Sequence, residues 1–389
     1  MTPFTRTDHS LLGQWWWTVD RQSLGVIAAL MVIGTIFIAS ASPPVAERND
    51  LSEFHFVIRH LVFLSVATIA LLVTSLMSPT GVRQAAIVML AGACAGVALT
   101  LVMGAEIKGA TRWLNLGPVS VQPSEFLKPA FVVVSAWLIA RGAVQGRLRP
   151  WGVALALYAV AVGLLLLQPD FGMALVVSAV WGMQFVLAGL PMALVIGLGL
   201  AGIGFVAAAY ITLPHVQSRI DRFLRPEEGD TYQLDRSIEA FRNGGLVGVG
   251  PGEGQVKYLV PDVHADFIFA AAGEEFGLIA CLLVVGLFTF LVLRAFQRLI
   301  GEDRLFVQIA AAGLAAQFGI QALVNLGSSL GLIPTKGMTL PFISYGGSSL
   351  VAISIGVGML LALTRRRPGY AGAASASRAG TPLTVRTAP

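Results

Sequence analysis

The sequence has little charge. Asp, Glu, Lys and Arg make up 12% of its 389 residues, about half the share of a soluble domain. Hydrophobic residues make up 56%, and the mean hydropathy is +0.77. No water-soluble globule, disordered chain or coiled coil fits those values. Cysteine is scarce too. Cys94 and Cys281 both sit inside apolar runs, so neither a structural disulfide nor a zinc site is expected. The alternating ten-residue segments of a transmembrane barrel are missing. So are a small-residue cleavage site after the first apolar run and a repeat that would suggest inverted transporter halves.

Long apolar runs are what the chain does have. About 20 apolar residues cross a bilayer as a helix. Candidate spans fall near 24–42, 57–77, 85–104, 121–140, 152–167, 171–189, 191–212, 267–293, 305–328 and 345–363. The expected fold is therefore an all-α polytopic membrane protein with about ten transmembrane helices. The fifth and sixth spans meet at Gln168-Pro169-Asp170 and read as a tight hairpin. An even number of spans puts both termini on one side, and fourteen of the 26 Lys and Arg residues fall on that side. The excess of positive charge marks it as cytoplasmic. Residues 1–23 then form a cytoplasmic segment, 24–365 the membrane domain, and 366–389 a disordered cytoplasmic tail rich in Ala, Ser, Gly, Thr and Pro.

The opposite face collects the polar residues. A loop at 213–266, between the seventh and eighth spans, is far longer than an ordinary connection. It carries a glycine cluster from Gly244 to Gly254. The Gly-x-x-x-x-Gly-Lys-Ser/Thr signature and a preceding strand are lacking, so a tight turn is favoured over a nucleotide loop. The loop runs through Lys257 to Pro261-Asp262-Val263-His264-Ala265-Asp266 at the mouth of the long eighth span. Asp266 reads either as a helix cap or as a functional carboxylate. His264 and Asp266 are too few for a metal site, and the His-Glu-x-x-His pattern is absent. Glu274 and Glu275 follow about 12–14 Å deeper along the helix; at that depth they must face protein or water or be protonated, and at least one is expected to have a polar partner.

Two further clusters face the same way. Arg112 and Trp113 precede Gln122-Pro123-Ser124-Glu125-Phe126-Leu127-Lys128. Glu125 and Lys128, three apart, share a helix face and read as an internal ion pair or as a counter-ion for an anionic head group. Asn325, Pro334-Thr335-Lys336-Gly337 and Pro341-Phe342-Ile343-Ser344-Tyr345-Gly346-Gly347 form the other. Proline and glycine at this density forbid a simple helix. Irregular backbone near a membrane is tolerated only against protein or a wet cavity, so these segments predict a cavity on the outer face.

In family order, the stretches 122–128, 168–172, 264–275 and 341–349 resemble the shape, elongation, division and sporulation (SEDS) family over most of residues 20–365. Thr335-Lys336 and Thr339-Leu340-Pro341 resemble its division branch more than its rod-elongation branch. The resemblance implies a peptidoglycan glycosyltransferase of the inner membrane and division septum that polymerises lipid II. Asp266 matches the family's essential aspartate, although Asp262 and Ala265 replace the usual Glu and Thr around it. It implies Asp266 as general base, with undecaprenyl diphosphate as leaving group. Arg112, Trp113, Glu125, Lys128, Lys257, His264, Lys336 and Ser344 are the candidate substrate-binding residues. A divalent cation, Mg2+ or Mn2+, could share the diphosphate charge, but no dedicated ligand set is visible. The implied partners are a class B penicillin-binding protein (FtsI) as transpeptidase, the FtsQ-FtsL-FtsB complex and FtsN. The competing readings are a lipid II flippase and a non-catalytic division scaffold.

Overall fold

The ten apolar runs become ten helices in the computed structural model, which describes residues 10–107, 110–117, 119–225, 232–260, 262–334 and 337–366. Lys336 and the tail beyond 366 lie outside the described residues. A short helix α1 (Leu11–Thr18) precedes α2 (Arg21–Ala41), α3 (Pro43–Arg48), α4 (His55–Ser75) and α5 (Pro79–Met103). Strands β1 (Ala105–Ile107), β2 (Ala110–Leu116) and β3 (Val119–Val121) lead into α6 (Pro123–Gln145), α7 (Leu148–Leu167), α8 (Phe171–Leu187) and α9 (Met192–Thr212). The long loop holds α10 (Pro214–Leu224) and α11 (Tyr232–Gly244). It is followed by α12 (Ile268–Leu299), α13 (Leu305–Ser329) and α14 (Gly347–Leu363).

Among the described residues, eight helices are long and apolar enough to cross a membrane: α2, α4, α5, α6, α7, α9, α12 and α13. The shorter apolar helices α8 and α14 complete the expected ten. Local signals set their ends. Ser78 caps α5 by accepting from Gly81 N at 3.0 Å, and Asp170 caps α8 by accepting from Met173 N at 3.2 Å. Gly146, at φ 60°, ends α6 in the left-handed conformation. The all-α expectation needs one correction. Residues 105–121 contain a small antiparallel sheet in the order β1-β2-β3. Its strands are three to seven residues long, too short to stand out as a period-2 pattern beside long helices.

Helices α6, α13 and α14 form the centre. In α6 and α13, 78% and 67% of the apolar window is buried, against 6% in α9. α6 packs against α5, α7, α8, α13 and α14, whereas α9 leans mainly on α8 and α10. Some polar groups in this core are paired across helices, as burial favours. Ser135 donates to Gln184 Oε1 at 2.6 Å, and Gln184 Nε2 donates to the Val132 carbonyl at 2.8 Å.

One rim gathers both ends of the bundle. Asp20, at the start of α2, meets Arg294 Nε at 2.8 Å and Arg298 Nη2 at 2.7 Å at the end of α12. Burial pushes the Asp20 carboxyl up, but the bonds from Arg294, Arg298 and Ser23 outweigh it and hold the pKa at about 2. Arg365, just past α14, donates to Thr18 Oγ1 and to the Leu76 carbonyl, each at 3.1 Å. The start of α2 and the ends of α4, α12 and α14 therefore share this rim, as an even number of crossings requires.

Without apolar pressure between helices in lipid, close packing depends on small residues. A Cβ at Gly358 of α14 would overlap Thr74 Oγ1 and the Leu71 carbonyl of α4. The backbone carbonyl cannot rotate aside, so Gly358→Val should destabilise the protein by about 1–3 kcal/mol. Thermal melting in detergent checks this, and an unchanged midpoint would contradict the packing.

Candidate functional site

The helix that follows the long loop is broken. Gly277 interrupts α12 at φ 75°, ψ −178°, a conformation that only glycine adopts readily. The glycine-rich segment repairs the break. Val249 N donates to the Glu274 carbonyl at 3.0 Å and Gly250 N to the Glu275 carbonyl at 3.1 Å. In return, Leu278 N and Ile279 N donate to the Gly245 and Leu246 carbonyls at 2.9 and 3.2 Å. A Cβ at Gly248 or Gly277 would collide with the opposing backbone. The glycines thus serve close approach between two backbones. The stretch after the break, Leu278–Leu299, is about 33 Å long and suffices to span a bilayer by itself. Glu274 and Glu275 accordingly sit near the end of that span, closer to the surface than their place in an unbroken helix implied.

Both glutamates have partners. Glu274 accepts from Val256 N at 2.9 Å and from Asn243 Nδ2 at 3.2 Å. Glu275 pairs with Lys257 Nζ at 2.7 Å and also accepts from the Ser40 hydroxyl. Lys257 is buried, and its other two donors go to the Gly252 carbonyl at 2.6 Å and the Ser40 carbonyl at 3.2 Å. Its charge is therefore spent on joining the loop to α2 and α12.

This scaffold presents Asp266. The residue is half-buried in the turn before α12. Its carbonyl accepts from Asn325 Nδ2 of α13 at 3.1 Å, and the same Nδ2 donates to the Met338 carbonyl at 2.6 Å. A Cβ on Gly337 would lie 2.9 Å from Asp266 Oδ2. Gly337 and the carboxylate are therefore neighbours across some seventy residues of sequence.

A polar ladder leads inward from this point. One turn down α13, Gln321 Nε2 donates to the Thr339 carbonyl at 3.1 Å, and Gln321 Oε1 accepts from Lys128 Nζ at 2.9 Å. Lys128 Nζ also lies 2.9 Å from Glu125 Oε2, and both residues are buried. The contact is a charge pairing without hydrogen-bond alignment at that oxygen. Thr339 Oγ1 and Ser349 Oγ are 2.6 Å apart. Ser344 Oγ accepts from Leu340 N at 2.8 Å and closes the Pro341–Ser344 turn. His264 packs at a tilt against Phe56 and Tyr345, with ring centroids at 4.6 and 5.1 Å, and those two rings meet edge to face at 5.2 Å.

Arg112 belongs to a different group. Its Nη2 donates to the Pro169 carbonyl at 2.6 Å, and its Nη1 lies 3.6 Å from Asp170 Oδ2. It holds β2 to the α7–α8 turn. Trp113 on the same strand is half-buried. Beside this turn a cavity of about 310 Å³ is lined by Pro169, Gly172, Arg219, Ile333 and Pro334. Through Leu175, Val206 and Ile220 it adjoins a groove of about 1260 Å³ between α7, α8, α9 and α10, walled by Tyr158, Trp181 and Phe205. Gln321, Arg219 and the contact of Gly337 with Asp266 were not singled out from the sequence. Only Gln321 left a signal there: with Asn325 it places two amides four apart on one face of an apolar helix. Among the described residues no three His, Cys, Asp or Glu side chains gather as a metal site.

Two results are expected. Burial lowers the His264 pKa to about 4 from 6.5, with the Asp262 charge opposing. The unfolded chain binds the proton first on acidification. Stability should be complete above about pH 6.5 and fall by on the order of 3 kcal/mol down to pH 4. Melting across that window checks this, and His264→Phe should flatten the slope. Gly277→Ala should loosen the loop: limited proteolysis should cut residues 245–254 faster, at a cost of about 1–3 kcal/mol.

Comparison with known proteins supplies the relationship. Residues 21–368 match the FtsW/RodA/SpoVE family of cell cycle proteins. The chain is 44% identical over 371 residues to a probable peptidoglycan glycosyltransferase FtsW of Caulobacter vibrioides, covering 95% of each. It is 36% identical over 356 residues to one from Escherichia coli O6:H1, covering 88% of this chain and 85% of that one. A chain from a solved peptidoglycan synthase complex, described as coordinating polymerization and crosslinking, matches 90% of this chain and 98% of its own length at 29% identity, with a TM-score of 0.74. Thermus thermophilus RodA matches 90% of this chain and 97% of its own at 28% identity, with a TM-score of 0.67. The chain belongs to the FtsW/RodA/SpoVE family of multi-pass membrane proteins, the SEDS family of the sequence motifs, and within it is most like FtsW.

Proposed function

We propose that the chain is a peptidoglycan glycosyltransferase that polymerises lipid II in septal wall synthesis, with Asp266 as general base. The observation that carries this reading is the placement of the Asp266 carboxylate against Gly337, directly after Lys336 in sequence. A base and a cation on adjoining segments suit a displacement in which a proton is taken and a diphosphate leaves. The 4-hydroxyl oxygen of the acceptor GlcNAc attacks the anomeric carbon of the donor MurNAc. The bond from that carbon to the diphosphate breaks, undecaprenyl diphosphate departs with the electron pair, and the hydroxyl proton passes to Asp266. Inversion from an α-linked donor gives the β-1,4 product, so a single carboxylate suffices.

The other residues divide by their surroundings. Lys257 and Lys128 are buried and paired inside the protein, which favours support of the site over diphosphate binding. Lys336, Arg112 and Arg219 are the cations we assign to the diphosphate. His264 and Ser344 shape the wall of the site. The apolar groove between α7 and α9 suits the polyprenyl chain. No step is assigned to a divalent cation. The positive-inside rule favours cytoplasmic termini, which puts Asp266 on the periplasmic face of the inner membrane. The relationship to a synthase complex that polymerises and crosslinks supports a class B penicillin-binding protein (FtsI) as partner. The FtsQ-FtsL-FtsB complex and FtsN are proposed by family alone.

The test is polymer formation from lipid II by the chain co-purified with its transpeptidase. Asp266→Asn should reduce polymer by on the order of 10²-fold or more while still binding the partner. Equal polymer from wild type and variant would remove Asp266 from the chemistry, and a wild type that makes none would favour a flippase or scaffold.

A further inference from the structure

We infer that Asn325 is a positioning residue that fixes the Asp266 carboxylate; the inference rests on the polymerase reading above. Asn325 is completely buried on α13. Its Nδ2 ties together the carbonyls of Asp266 and Met338, which belong to two segments that reach the site separately. Both partners are acceptors, so the amide can present only its nitrogen to them. Met338 follows Gly337, where a Cβ would lie only 2.9 Å from Asp266 Oδ2. The amide therefore bridges the candidate base directly to the Gly337–Met338 segment. A second link, from Tyr345 N to the His264 carbonyl at 3.0 Å, is made by backbone alone. It holds the segments near each other at their far end; Gln321 ties the neighbouring Thr339 to α13, and Asn325 alone of the two amides reaches the Asp266 carbonyl as well.

Asn325 Oδ1 is buried and receives no hydrogen bond. An unmet buried acceptor is costly, but an apolar residue of similar size at this position would take the donor from the Asp266 and Met338 carbonyls. Asn325 keeps an orphaned oxygen in order to place its nitrogen between two carbonyls.

A displacement of about 1 Å at a reacting group can cost 10²-fold in rate. The experiment compares initial polymerisation rates against lipid II concentration for the full chain with its transpeptidase. It uses wild type, Asn325→Ala, the isosteric Asn325→Asp, Gly337→Ala, and the double variant Asn325→Ala/Gly337→Ala. Rates are expressed per folded molecule, from the monodisperse fraction. Asn325→Ala and Asn325→Asp should each lower kcat tenfold or more and leave KM within about twofold. Gly337→Ala should do the same by pressing on the carboxylate, and the double variant should lose less than the product of the single losses, because both act on one geometry. If one Asn325 variant does not fold, the other carries the comparison. An unchanged kcat, or a loss confined to KM or to the folded fraction, overturns the inference. Asp266→Asn, run alongside, separates the two failures. If it is inactive while the Asn325 variants keep full kcat, positioning alone fails; if it is active, the polymerase reading of Asp266 fails and takes this inference with it.

Discussion

A helix that breaks near a membrane releases peptide groups that must find new partners in the protein, because lipid offers none. In this chain that constraint falls on α12 at Gly277. Four backbone hydrogen bonds from the glycine-rich segment replace what the break removes. The repair requires two chains to approach closer than side chains allow, and so the segment from Gly244 to Gly254 is glycine-rich. Once docked, it carries Lys257 onto Glu275 and brings Val256 N to Glu274. Two acidic side chains that would be costly in an intact membrane helix become the fasteners of an external loop.

The same loop ends at Asp266, so the repair also fixes where the carboxylate enters the bundle. From the other side α13 supplies Asn325 and Gln321, one turn apart, which grip the carbonyls of Met338 and Thr339. Gln321 passes the connection to Lys128 and Glu125 on the largely buried α6. The site thus stands on a continuous polar column from the rim to the centre of the bundle. Such a column holds a reacting group more firmly than a surface loop alone. By contrast α9, which borders the apolar groove, is scarcely buried. Rigid chemistry beside a loosely packed wall suits a substrate with a fixed head group and a long flexible tail.

Much of this was legible in the chain. Ten apolar runs gave the span count, and Gln168-Pro169-Asp170 marked the α7–α8 turn, where the structure shows Asp170 as the cap of α8. The spacing of Glu125 and Lys128 offered their pairing as one of two readings, and insertion cost called for a polar partner at one or both of Glu274 and Glu275. The break at Gly277 was not legible, because one glycine in an apolar helix is ordinary and only the distant loop makes it a hinge point. The link between Gly337 and Asp266 was hidden for the same reason: contact across distant segments leaves no period in the sequence. Lys257 could be read as a substrate cation because its three acceptors come from α2, the loop and α12, which no local pattern connects.

The most direct test of this account is the structure of the chain with its transpeptidase and an unreactive lipid II analogue bound. The account predicts the acceptor sugar O4 at about 3 Å from the Asp266 carboxylate, with the polyprenyl chain in the groove between α7 and α9. Sugars bound at the rim that carries Asp20 and Arg365, or beside Asp266 but beyond hydrogen-bond reach, would contradict it.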